Sequence, residues 1–209
     1  MNIHDALGAV AELRERVLVR QRFCGYSGVA RAAGGTLALC AAALARATGA
    51  DAVDVILLAV WGVVFAGALV LNYGAVCWWF LTEKRRAEAL TPALEPLPVL
   101  LVGGILTAAI YHTIGPVLLP GVWMCVFALT QFSAKYALPR AIRRVGWFYI
   151  VAGAVCFACG EWAWREPLVM GAVFFFGEWA GGLILHAETI SSRRNEPSRN
   201  PPFLNDDEN

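Results

Sequence analysis

A carboxylate in an oily run is the first candidate for chemistry. Phe174-Phe175-Phe176-Gly177-Glu178-Trp179-Ala180-Gly181-Gly182 carries one acid, and the nearest charges in sequence are the pair Arg165-Glu166 and Glu188. An ionised carboxylate in hydrocarbon costs several kcal/mol unless paired. Glu178 is therefore expected to hold a proton and hydrogen-bond to a polar neighbour, or else to handle protons or cations. By depth, Thr107 stands near the same level, with Asn72 and Gln131 somewhat over a turn further inward. Arg31 is the remaining partner, but its place early in the first apolar block sets it nearer the cytoplasmic face.

At 100° per residue, Gly171, Phe175, Glu178, Gly182, Leu185 and Glu188 share one side of a helix. Val173, Phe176, Ala180, Leu183 and Ile184 lie opposite. The first face is small and polar and should pack on other helices; the second should meet lipid. Gly177 and Gly181 add a small-xxx-small pair, which lets a neighbouring backbone come close.

A second set lies at the other end of the spans. His112 is the one histidine inside an apolar block, with Tyr111 beside it, and Glu161 ends a later block. Convergence of these three would suit an enzyme acting on a lipid or quinone near the outer surface. A metal or haem site would need a second histidine at matching depth. His186 falls at the opposite face and His4 at the N-terminus, so no cofactor is expected. Cys156-Phe157-Ala158-Cys159 has CxxC spacing but lies within a helix. Like Cys24, Cys40, Cys77 and Cys125, these two read as small packing residues. No nucleophile, base and orienting group share one depth, which leaves no catalytic set.

The elements that must carry these residues are long apolar helices. Of 209 residues, 58% are hydrophobic and 16% charged, and mean hydropathy is +0.58. A soluble domain carries about 25% charged residues. Six blocks, 28–46, 54–81, 97–115, 117–135, 145–163 and 167–187, are long enough to cross a bilayer as helices. The expected fold is all-α: a polytopic membrane protein of six transmembrane helices arranged as three hairpins. Pro116 and Pro120 mark the turn into the fourth span, and Pro167 starts the sixth.

Basic residues set the orientation. Fourteen of the 17 lie in the N-terminal segment, the loops after spans two and four, and the tail, whereas Arg46 and Arg165 alone occupy the opposite loops. Both termini are expected to be cytoplasmic, in a bacterial inner membrane. Residues 1–27 read as a short amphipathic cytoplasmic helix, with Leu7, Val10, Leu13, Val17 and Leu18 at helical spacing. That helix suits the lipid surface or a docked partner, including a second copy. Residues 28–188 form the transmembrane domain, and 189–209 read as a disordered cytoplasmic tail. A net charge of +1 gives no reason to expect nucleic acid, and no cleavable signal peptide is expected before the first span.

A parallel repeat of a two-helix unit is also legible. Odd spans carry Gly34-Gly35, Gly103-Gly104 and Gly153-Ala154, and even spans carry aromatic clusters around Trp61, Trp123 and Phe174.

Pro120-Gly121-Val122-Trp123, Leu138-Pro139-Arg140-Ala141-Ile142 and Pro167-Leu168-Val169-Met170-Gly171 resemble segments of a family of bacterial six-helix inner-membrane proteins of about this length and unknown function. Gly25-Tyr26-Ser27-Gly28 at the entry to span one is similar too. The likeness runs over nearly the whole chain. It implies a membrane partner for a small cytoplasmic regulator and supplies no catalytic residue. Glu178 falls where similar sequences carry glutamine or histidine, which implies that a polar side chain is wanted there more than a charge.

Two functions follow as expectations. The first is a non-enzymatic regulatory or accessory subunit docking a cytoplasmic regulator or membrane-protein partner, possible as a homo-oligomer. The alternative is a small transporter or channel-like protein with Glu178 handling protons or cations.

Overall fold

The computed structural model describes residues 26–82, 91–134 and 138–194. Six long helices account for most of them: α1 Gly28–Thr48, α2 Asp54–Thr82, α3 Leu97–Thr113, α4 Leu119–Ser133, α5 Ile142–Cys159 and α6 Pro167–Arg194. Five are long and apolar enough to cross a membrane, counting α4 with the turn Pro116–Leu118 before it. α3, at 17 residues, is shorter. The fold is an all-α bundle compatible with a multi-pass membrane protein. The expected helix within 1–27, the loop around Lys84-Arg85-Arg86, Lys135 and the tail beyond Arg194 lie outside the described residues. Where the tail was expected from 189, α6 continues to Arg194.

Helix limits follow local chemistry. The Ser27 side chain accepts from the Ala30 amide at 3.2 Å and caps α1, satisfying one of the free amides of the first turn. Gly49, at φ 72°, closes the other end in the left-handed region. α2 has 29 residues, about 43 Å of helix, well beyond the roughly 30 Å hydrocarbon thickness.

The fifth span corrects the expected boundary of 145–163. α5 ends at Cys159 because Gly160 takes φ 55°, and Glu161–Arg165 forms a separate short helix. That break turns Trp164 into the core, where it packs against Trp123 with ring centroids 6.1 Å apart. Trp164 is thus buried, whereas Trp162 is exposed.

The most extensive packings join α1 to α6 and α4 to α5, across the expected hairpins. Glycine explains the first. A Cβ on Gly28 would strike the Gly182 carbonyl, and one on Gly182 would come within 2.5 Å of the Gly28 carbonyl oxygen. Two backbones meet there, as small residues permit. α2 leans on α1 and α3 on α4, but α2 and α3 share no extensive contact. Large apolar side chains such as Val63, Val70, Leu101 and Ile105 are exposed, as suits a chain whose solvent is hydrocarbon.

Candidate functional site

Glu178 is buried, at 8% exposure, on the predicted packing face of α6. Gly171, Gly182 and Leu185 are buried with it, while Phe176, Ala180 and Leu183 face outward. Its partner comes from α1. The Arg31 Nη2 donates to Glu178 Oε1 at 3.0 Å. Arg31 Nε stands 2.9 Å from Oε2, off the line of a hydrogen bond, and contributes as a charge pair. Arg31 itself is 6% exposed.

A third group completes the cluster. The Tyr149 hydroxyl, on α5, donates to Glu178 Oε1 at 2.8 Å, and Tyr149 is fully buried. The two glycines flanking the acid make this possible. A Cβ on Gly177 would strike the Tyr149 hydroxyl, and one on Gly181 would strike the Arg31 guanidinium. The FFFGEWAGG segment is therefore a carboxylate with two notches, one for each donor.

The expected hydrogen-bond partners of Glu178 are engaged elsewhere. Thr107 donates to the Gly103 carbonyl at 2.8 Å and accepts from Trp123 Nε1 at 2.8 Å. Asn72 donates to the Ala68 carbonyl at 2.9 Å. Gln131 Nε2 donates to Thr130 Oγ1 at 3.3 Å, and its buried Oε1 accepts no hydrogen bond from the described residues. The neutral acid sharing a proton with one of these three is replaced by an ion pair. Arg31 reaches it because α1 lies along α6, which brings their facing glycines and long side chains to one level.

Sequence reasoning did not reach Tyr149, which stands in the aromatic run Trp147-Phe148-Tyr149. A periodic signal was present: Ile142, Val145, Gly146, Tyr149, Gly153 and Cys156 repeat at helical spacing, and all are buried.

Thr107 and Asn72 nevertheless share a space with Glu178. A cavity of about 570 Å³, the outer one in the expected orientation, lies between α2 and α3, with Trp61, Thr107, Tyr111, His112 and Trp123 in its wall. A smaller one of about 120 Å³, the inner one in that orientation, has Tyr26, Arg31, Thr130 and Gln131 in its wall. Phe65, Ala68, Asn72, Leu100, Phe127 and Glu178 line both. The linings thus overlap along α2 from Phe65 to Asn72, and Glu178 of the ion pair stands at this junction.

The outer set does not converge. Tyr111 and His112 pack edge to face, centroids 5.9 Å apart, and both line the outer cavity, but Glu161 does not. Glu161 lies 3.7 Å from Arg165. Arg165 also pairs with Asp54 at 2.9 Å, and Asp54 accepts from Trp164 Nε1 at 2.9 Å. This network ties the start of α2 to the short helix Glu161–Arg165 between α5 and α6. The five cysteines Cys40, Cys77, Cys125, Cys156 and Cys159 are free, with Cys156 buried and Cys159 exposed.

No family model, curated protein or solved structure matches this chain.

Proposed function

We propose that this chain is a small transporter of the bacterial inner membrane, with both termini cytoplasmic and the Arg31–Glu178 pair as the closed gate between an outer and an inner cavity. The observation that carries the reading is the shared wall: six residues, Glu178 and Asn72 among them, border both cavities. A solute moving between them must pass the junction. Along α2 the combined lining runs from Leu58 to Val76, about 27 Å at 1.5 Å per residue, close to the hydrocarbon thickness of roughly 30 Å.

The accessory-subunit reading rests on residues 1–27, of which 1–25 lie outside the described residues. Its cytoplasmic or membrane-protein partner, and the regulator implied by the family resemblance, rest there too. A pull-down with and without that segment tests it separately. The described residues favour the alternative.

The gate is tested in proteoliposomes holding a pH gradient. Wild type should keep the gradient, and Glu178→Ala should dissipate it several-fold faster. Exchange of the pair, Arg31→Glu with Glu178→Arg, should restore tightness. Phe65→Ala removes bulk at the junction without touching the pair and should also leak. Folded Phe65→Ala and Glu178→Ala variants that are as tight as wild type would sink the reading.

A further inference from the structure

The outer cavity is long. Its lining follows α2 from Leu58 to Asn72, about 21 Å of helix at 1.5 Å per residue. A volume of about 570 Å³ along that length takes an extended hydrocarbon chain.

The side of the cavity faces the bilayer. α2 and α3 do not close on each other, and Gly62 and Gly104, both exposed, line the opening. A Cβ at either glycine meets nothing within 4 Å. Beside them Val63 and Ile105 present exposed aliphatic surface, so the mouth is continuous with the lipid-facing surface.

The inner end of the path is polar. The Asn72 amide sits at the junction, and the inner cavity adds Thr130 and Gln131. The Gln131 Oε1 is buried without a donor among the described residues, a costly state that a ligand hydroxyl or carboxylic acid would relieve. The Glu178 carboxylate is matched by Arg31, so the junction offers no uncompensated negative charge for a lone cation. The inner cavity is the smaller of the two, at about 120 Å³, and suits a compact head.

We propose that the path takes a single-chain membrane amphiphile with a compact hydrogen-bonding head, of which a long-chain fatty acid is the simplest. It enters sideways between α2 and α3, its chain in the outer cavity and its head at the level of Asn72 and Gln131. The inference rests on the reading of the two cavities as one path, and names the solute.

The test uses the full chain in nanodiscs of unbrominated lipid, with dibromostearate as probe. Bromine quenches indole fluorescence on contact, and Trp61 and Trp123 line the cavity. Wild type should show a saturable quenching component. Gly62→Phe with Gly104→Phe fills the cavity and should weaken that component about tenfold. Val63→Phe, at a position 71% exposed on the lipid face, should leave it unchanged. A dibrominated lysophospholipid, with a bulky head, should show no saturable component. Quenching that is linear in wild type, or saturable quenching that survives the glycine pair, overturns the proposal, as does saturable binding of the lysophospholipid. Saturable dibromostearate quenching with gradient-tight junction variants removes the transport reading and leaves the binding site. Leaky junction variants with linear quenching remove the site and leave the transport reading.

Discussion

Arg31 and Glu178 are 147 residues apart in sequence, and Arg31 Nη2 donates to Glu178 Oε1 at 3.0 Å. Their side chains join the first long helix to the last, on the pair of helices with the closest backbone approach. Removing one partner of a buried pair leaves a charge with no compensation, which costs about 3–5 kcal/mol. Arg31→Ala and Glu178→Ala should each destabilise the bundle by that order in thermal or denaturant unfolding. The double substitution to Leu should cost less than either single change, because no buried charge remains. A double variant as unstable as the sum of the singles would show that the two residues act independently.

Tyr149→Phe deletes one donor and nothing else. Glu178 Oε1 keeps its bond from Arg31, so the expected loss is about 1.5–3 kcal/mol, the range for a hydrogen bond to a charged group. Unchanged stability would mean that Tyr149 is held by packing alone, against Phe127 and Phe174.

The glycine seam gives a sharper contrast. Gly182→Ala puts a methyl group against the Gly28 carbonyl and should cost about 1–3 kcal/mol through overpacking. Gly62→Ala meets open space and should be near neutral or slightly stabilising, since alanine is the better helix former. Equal effects at the two positions would contradict the close approach of α1 and α6.

At the outer end, Arg46 lies 3.1 Å from Asp51 with its side chain more than half exposed. Exposed pairs contribute about 0–1 kcal/mol, so Arg46→Ala should barely shift unfolding. Asp54→Ala should shift it more, because it strips the buried Trp164 indole of its acceptor and Arg165 of its nearest carboxylate. Comparison of the two unfolding midpoints decides the ranking.

Burial pushes the Tyr26 phenol above its ordinary value of 10.0, with Tyr73 and Glu95 adding to the rise and Arg31 opposing it. A phenol held neutral in the folded state but free to ionise when unfolded stabilises the fold below its unfolded value. That contribution fades as pH rises toward the folded value. Alkaline titration of tyrosinate absorbance should give the same curve for wild type and Tyr26→Phe through the ordinary phenol range, with divergence only above it. Loss of an ordinary transition in Tyr26→Phe would contradict the burial.

Much of the frame was legible in the residues themselves. Long uncharged blocks specify helices because backbone polar groups in hydrocarbon must be satisfied within the helix. The face of α6 that carries Glu178 followed from 100° periodicity, since small and polar side chains shun lipid whatever the neighbouring helix turns out to be. What periodicity does not contain is which helix lies opposite. That choice depends on shape: Gly28 and Gly182 let α1 and α6 touch backbone to backbone, so Arg31 meets Glu178 where depth alone suggested Thr107, Asn72 or Gln131. The turn at Gly160 that buries Trp164, and the seam left open between α2 and α3, were decided by tertiary packing for the same reason. Each depends on how two surfaces distant in sequence fit together.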